Sequence, residues 1–337
     1  MRVLLVKMSS LGDVVHALPA VTDAADAGIT FDWVVEEAFA DIPAAHPAVA
    51  TVIPIAWRRW RRSLGRSAAE MRDFRRALRA RRYDAILDSQ GLIKSAVVAA
   101  LATGPRQGFS RSAARESWAA LAYGRTHAIA TGQHAVDRQR QLFAAALGYE
   151  TGDEFASGLE STRARGKQVL LLHGTTWPSK HWPLSMWQAL ARDIQHDGFD
   201  PVVTWGSDEE RARAMSIADA SGATVLERQP LADLGEVLAQ AAAVIGVDSG
   251  LCHYSAALGT PTLGLYGPTD GNLTGARGQC AAHVQATTPC SPCLDKQCRR
   301  YRGDALMWQG EAMQPPCFAT LTPELVWARA RQLMGTC

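Results

Sequence analysis

The sequence predicts an α/β protein built from two doubly wound domains, and three observations carry that reading. Its 337 residues exceed what one compact domain of ordinary size holds. Short aliphatic runs alternate with helix-length amphipathic segments, the pattern of a mainly parallel sheet covered by helices on both faces. That alternation dissolves once, near the middle of the chain, and then restarts.

Taken in order, Arg2–Lys7 reads as a first strand, Met8–Asp13 as a loop, and Val14–Ala27 as a helix with Leu18, Val21 and Ala25 on one face. Phe31–Val35, Val52–Ile55 and Ala85–Asp88 are further strands, and Ala68–Ala80, Leu92–Leu101 and His134–Leu147 are helices. Gly148–Gly166 is polar and lacks periodicity, so it is the expected linker between a first domain over residues 1–155 and a second over 166–320. The alternation resumes with strand Val169–His173, helix Pro183–His196, strand Pro201–Trp205 and helix Glu209–Ala220. Strand Thr224–Leu226, helix Leu231–Ala241, strand Val244–Asp248, helix Leu251–Leu258 and strand Thr262–Tyr266 complete it. Gly271–Cys317 is loop-like. Thr322 caps a last helix, Pro323–Leu333, and residues 321–337 are expected to pack back toward the first domain.

Composition narrows the class. Hydrophobic residues make up 47% and charged residues 20%, ordinary values for a soluble globular protein, and no apolar run is long enough to span a bilayer. The opening MRVLLVKMSS has too brief an apolar stretch for a secretory signal, so a cytoplasmic address is expected. Net charge is only +2 but unevenly spread. Arg58, Arg59, Arg61, Arg62, Arg66, Arg72, Arg75, Arg76, Arg79, Arg81 and Arg82 crowd one segment, which predicts an anionic partner there. The run from Trp57 to Arg62 is read as a nucleic-acid patch, an anionic-membrane patch or a solvated helix face, with Trp57 and Trp60 offering apolar surface for a lipid or sugar ring.

Several common chemistries lack their signatures. No G-x-G-x-x-G follows the first strand, no P-loop occurs, and no aspartates have D-x-D spacing. A nicotinamide cofactor is thereby unsupported, and a phosphate site must work without a metal. Three loops at strand ends offer one. Ser9-Ser10-Leu11-Gly12-Asp13 puts a carboxylate at a helix start, either as a cap or as a working group. Asp248-Ser249-Gly250 opens a helix whose free N–H groups and dipole favour an anion, with His253 one turn on; the bland reading makes Ser249 a cap and His253 a core residue. His173 to Pro183 supplies Thr175, Thr176 and Lys180, hydroxyls and a cation suited to a leaving diphosphate, although a lone lysine is usually solvated. Cys290, Cys293, Cys298 and Cys317 have enough thiols for a tetrahedral zinc site or are reduced structural thiols.

Together these stretches resemble the ADP-heptose:lipopolysaccharide heptosyltransferases. The resemblance begins with VKMSSLGDVVHALPAVTDA and FDWVVEEAFADIP. It continues through IAWRRWRR, YDAILDSQGLIKSA, HAVDRQRQLFAAALGY and HGTTWPSKHWP, and ends with VDSGLCHYSAALGTPTLGLYGPTD. FDWVVEE and RRWRR are similar to the type I branch, which adds the first heptose to Kdo, and the Cys-bearing tail is similar to that of other members, type II among them. The resemblance implies the GT-B fold of two facing Rossmann-like domains and a cytoplasmic enzyme peripheral to the inner membrane. Its partners would be ADP-heptose and Kdo2-lipid A, with no nucleic acid and no required cofactor. Asp13 would be the general base of an inverting transfer and Lys180 the group that steadies the leaving ADP. Thr175, Thr176, Asp248, Ser249, Gly250 and His253 would hold the donor, with Glu209, in the stretch Asp208–Glu210, on the nucleotide ribose. Ser10, Gly12, Arg58, Arg59, Arg61 and Arg62, joined by Arg115 and Arg138, would bind the acceptor. A type II acceptor and a non-catalytic nucleotide- or lipid-binding protein are the competing readings.

Overall fold

The computed structural model describes residues 1–62, 67–152, 155–299, 301 and 303–337; Arg66 of the basic segment and Asp153 and Glu154 of the linker lie outside them. The chain divides into two compact units, Met1–Leu159 and Glu160–Cys337. In the first, strands β1 (Arg2–Val6), β2 (Thr30–Glu36), β3 (Val49–Ile55), β4 (Ala85–Asp88), β5 (Arg106–Phe109) and β6 (Arg125–His127) form one parallel sheet in the order β3-β2-β1-β4-β5-β6. In the second, β7 (Gln168–Leu172), β8 (Asp200–Val203), β9 (Thr224–Val225), β10 (Ala243–Val247), β11 (Thr262–Tyr266) and β12 (Ala281–Gln285) are ordered β12-β11-β10-β7-β8-β9 and are again parallel. Numbered from its own first strand, each sheet runs 3-2-1-4-5-6. The central strands are near-continuous aliphatic runs because helices cover both their faces, and Val3–Val6, Val169–Leu172 and Ala243–Val247 are buried throughout.

This order fixes where ligands can sit. Strand direction of growth reverses between β1 and β4 and between β7 and β10, and doubly wound sheets bind at the crevice outside the carboxyl ends of such strands. Three of the four loops concerned are the ones singled out by their chemistry above.

Two expectations are corrected. Val14–Ala27 is two helices, Leu11–Val15 and Leu18–Asp26, because Pro19 in one continuous helix would clash with the carbonyl four residues back. β12 is a strand within the stretch read as loop-like, Ala281–Gln285 being only half-buried at a sheet edge, and β5 and β6 add two short polar strands, RQGF and RTH. The last helix, Pro323–Thr336, lies within the second unit. Val326, Trp327 and Ala330 join the core of Trp187, Leu190 and Leu263, and Trp327 Nε1 donates to Asp197 Oδ2 at 2.7 Å. Thr322 caps it, accepting from the Leu325 N–H at 3.4 Å. A disulfide, Cys280–Cys337, ties the start of β12 to the end of this helix.

Candidate active site

In the first unit the loop after β4 holds the loop after β1. Gln90 Oε1 accepts from the Met8 N–H at 2.8 Å, its Nε2 donates to the Ser9 carbonyl at 2.7 Å, and Lys94 Nζ donates to Ser9 Oγ at 3.1 Å. Asp88 ties down its own loop, accepting from the N–H groups of Gln90 and Gly91 and from the Tyr123 hydroxyl at 2.6 Å. On this frame Asp13 occupies the third position of helix Leu11–Val15, where the N–H and hydroxyl of Ser10 each donate to it at 2.9 Å. Both bonds fall on Oδ2. Asp13 therefore does cap its helix, and it also sits among cations. Burial pushes its carboxyl up, but Lys7, Ser10 and His16 outweigh that and hold it below the ordinary value. Lys7, buried with Nζ donating to the Ser89 carbonyl at 3.2 Å, is lowered by burial against the pull of Asp13 and Asp88.

The predicted arginines separate. Arg115 and Arg138 lie within electrostatic reach of Lys7, and Arg138 is anchored to the Ala113 and Ala130 carbonyls and stacked 5.2 Å from the Phe109 ring centre. Arg58 lies within electrostatic reach of Lys94. Arg59 forks instead onto Glu37 at 3.0 Å and Glu70 at 2.9 Å, so it braces its own short helix. Arg61 and Arg62 are exposed on the turn that follows. Trp60 presents no surface to a ligand: it is buried against Phe74, with Nε1 donating to Glu70 at 2.8 Å. An apolar side chain whose one polar atom finds an internal partner is more stable inside.

In the second unit Asp248 is the hub. Lys180 Nζ donates to its Oδ2 at 2.6 Å and Thr269 Oγ1 to the same oxygen at 2.7 Å, while His253 Nε2 lies 3.4 Å from Oδ1. Thr175 Oγ1 donates to the Asp248 carbonyl at 3.4 Å. Burial would raise the Asp248 carboxyl, yet His253 and Lys180 hold it far below its ordinary value. The Lys180 ammonium also rests 4.6 Å above the Trp177 ring. Ser249 stands at the N-cap of helix Gly250–Ala257 without bonding its own helix, and its Oγ, shielded from solvent, has no partner among the described residues. A hydroxyl and the first N–H groups of a helix are thus left for an anion. Thr176 is exposed on the same loop.

The signature of glycosyltransferase family 9 (heptosyltransferase) matches residues 71–302. The chain belongs to that family. It is 46% identical over 340 residues to lipopolysaccharide heptosyltransferase 1 of Pseudomonas aeruginosa, covering 97% of this chain and 96% of the relative. The solved Escherichia coli heptosyltransferase WaaC with ADP shares 39% identity and superposes with a TM-score of 0.85 over 99% of this chain and 100% of that one. E. coli ADP-heptose LPS heptosyltransferase II, at 18% identity, shares the fold over 100% of this chain and 99% of that one, with a TM-score of 0.73.

Within this glycosyltransferase, two further groups lie at the loop after β7. Glu210, not the exposed Glu209, faces it: a methyl group at Gly174 would come within 2.5 Å of Glu210 Oε1, while Oε2 accepts from the Gly206 N–H at 2.7 Å. The signal was the capping box Ser207–Glu210, whose third helical position must turn back toward the strand end. Glu210→Ala is therefore expected to raise the donor KM severalfold and Glu209→Ala to leave it unchanged, as steady-state kinetics would report. His173 is the other. Burial, helped by Arg213 and His181, lowers its imidazole to about 4. A folded value below the unfolded ~6.5 means stability that is complete above pH 6.5 and lost as pH falls toward 4, by up to about 3 kcal/mol. Urea unfolding at pH 7.5 and pH 4.5 should show this loss, and His173→Gln should flatten it.

Proposed function

We propose that the chain transfers L-glycero-D-manno-heptose from ADP-heptose to the Kdo of Kdo2-lipid A, with inversion at the anomeric carbon, in synthesis of the lipopolysaccharide inner core. The observation that carries the reading is the 46% identity with a lipopolysaccharide heptosyltransferase 1 across nearly the whole of both chains; the two strand-end constellations supply a mechanism for it.

Asp13 accepts the proton of the attacking Kdo hydroxyl as the oxygen closes on an oxocarbenium-like carbon. Lys7, Lys94, Arg115 and Arg138 give an acidic acceptor a cationic bed, with Ser10 and Gly12 in the loop that bears the base. Lys180, the Ser249 hydroxyl and the N–H groups opening Gly250–Ala257 take up the charge that develops on the departing ADP. Thr175 and Thr176 flank the diphosphate, Asp248 meets the heptose hydroxyls, and His253 keeps Asp248 oriented. No divalent ion is needed at the diphosphate, because these donors replace it. Peripheral attachment to the inner membrane is supported by four exposed apolar side chains on adjoining segments, Ile93, Val97, Trp118 and Leu121, with the Arg111 guanidinium 5.3 Å from the Trp118 ring centre. Apolar side chains beside a cation suit an anionic lipid surface. Among the described residues no helix is long and apolar enough to cross a membrane.

The deciding experiment offers the purified protein ADP-heptose with Kdo2-lipid A or with its heptosylated form. Turnover on the first is expected; turnover on the second alone would make the acceptor that of a type II enzyme, and none on either would leave a binding protein.

A further inference from the structure

The seven cysteines sort into three groups. Cys280 and Cys337 are paired, and Cys252 is buried in the helix after β10. The remaining four, Cys290, Cys293, Cys298 and Cys317, all line one cavity of about 20 Å³, beside Ser179 and Pro268. That is room for one water-sized body and little more. The thiols converge on it from two stretches, Cys290–Cys298 and Cys317, and two of them have the Cys-x2-Cys spacing that lets neighbouring sulfurs face one centre. Among the described residues no three side chains of ligand type already stand in a metal-holding arrangement, so an ion would draw this ring inward.

We infer that Cys290, Cys293, Cys298 and Cys317 form a tetrathiolate site for one divalent transition ion of the zinc or ferrous class. Ligation replaces four S–H protons with one dication: four thiols and M²⁺ give a dianionic M(S-Cys)4 centre and four released protons. Arg299 lines the same cavity and offsets part of that charge. The ion's role is structural, since four thiolates leave no open position.

The loop it would close buttresses the nucleotide side of the second unit. The Asp295 carbonyl accepts from the Ser179 hydroxyl at 2.5 Å and the Lys296 carbonyl from the Ser179 N–H at 3.2 Å, next to Lys180. Ser291 Oγ donates to the Gly267 carbonyl at 2.6 Å and the Leu294 N–H to that of Pro268 at 2.8 Å, next to Thr269. Both donors to Asp248 Oδ2 thus lean on the cysteine loop. That link to the donor rests on the role proposed for Lys180; the presence of the ion does not.

Elemental analysis of the full chain, expressed with zinc and iron supplied and purified without chelator, is expected to give one ion per chain. Zinc or ferrous iron would leave the protein essentially colourless and ferric iron would colour it, the elemental analysis telling the first two apart. Replacement by Co²⁺ should bring in thiolate-to-cobalt charge-transfer absorption, a readout independent of heptose transfer. Cys298→Ser, at an exposed position, and the Cys290→Ser/Cys293→Ser pair should lower metal content at least fivefold. Wild-type protein that carries less than a tenth of an ion per chain and gives no cobalt absorption would overturn the site, as would full occupancy in the double variant.

Discussion

Asp13→Asn should lower heptose transfer by about two to four orders of magnitude, the usual contribution of a positioned general base, while ADP-heptose binding stays within severalfold of wild type. The asparagine keeps the size of the side chain and can still accept from the Ser10 N–H and hydroxyl that hold Asp13 at 2.9 Å, so the loop is preserved and only proton acceptance is lost. ADP release in single turnover and donor affinity by calorimetry measure the two quantities separately. Equal losses in both would make Asp13 a structural cap, and undiminished release would remove it from the chemistry. Because its surroundings hold the carboxyl below the ordinary value, it is ionised throughout the neutral range. The acid limb of kcat/KM is then expected below the ordinary carboxylate range.

Lys180→Ala should combine two effects that the salt bridge to Asp248 couples. Loss of a cation from a developing diphosphate charge costs roughly 10²–10³ in kcat. The same change strips a nearly buried carboxylate of its ammonium, 2.6 Å away, and breaking such a pair by removing one partner destabilises by up to about 3–5 kcal/mol. Thr269 and His253 stay in place and soften the second effect. The double variant Lys180→Met/Asp248→Asn separates them, since neutralising both partners should recover much of the thermal stability without recovering turnover. If turnover returned with stability, Lys180 would act on the fold alone.

Much of this was legible in the chain itself. Strands buried on both faces write themselves as unbroken aliphatic runs, so the centres of both sheets could be read directly. Asp13, Lys180 and Asp248 stood out because they adjoin strand ends, where backbone groups and side chains are open to ligand. Arg59 pairs with Glu37 and Glu70, 22 and 11 residues away in sequence, and the Trp60 N–H with the same Glu70; composition cannot say which groups have already found each other. Gln90 and Lys94 were passed over because their task is to bond the backbone and hydroxyl of Ser9, more than 80 residues earlier. β12 was hidden by its half-exposed, alanine-rich edge position, and Glu210 by a neighbouring acid of equal charge one residue away.

The repetition of one strand order in both sheets has a consequence for how this enzyme can diversify. Each unit encloses its own core and carries its own strand-end loops on the same strand order, so on the proposed assignment acceptor and donor choice are written into different halves of the sequence, and a mutation in one set of loops leaves the segment that builds the other unaltered.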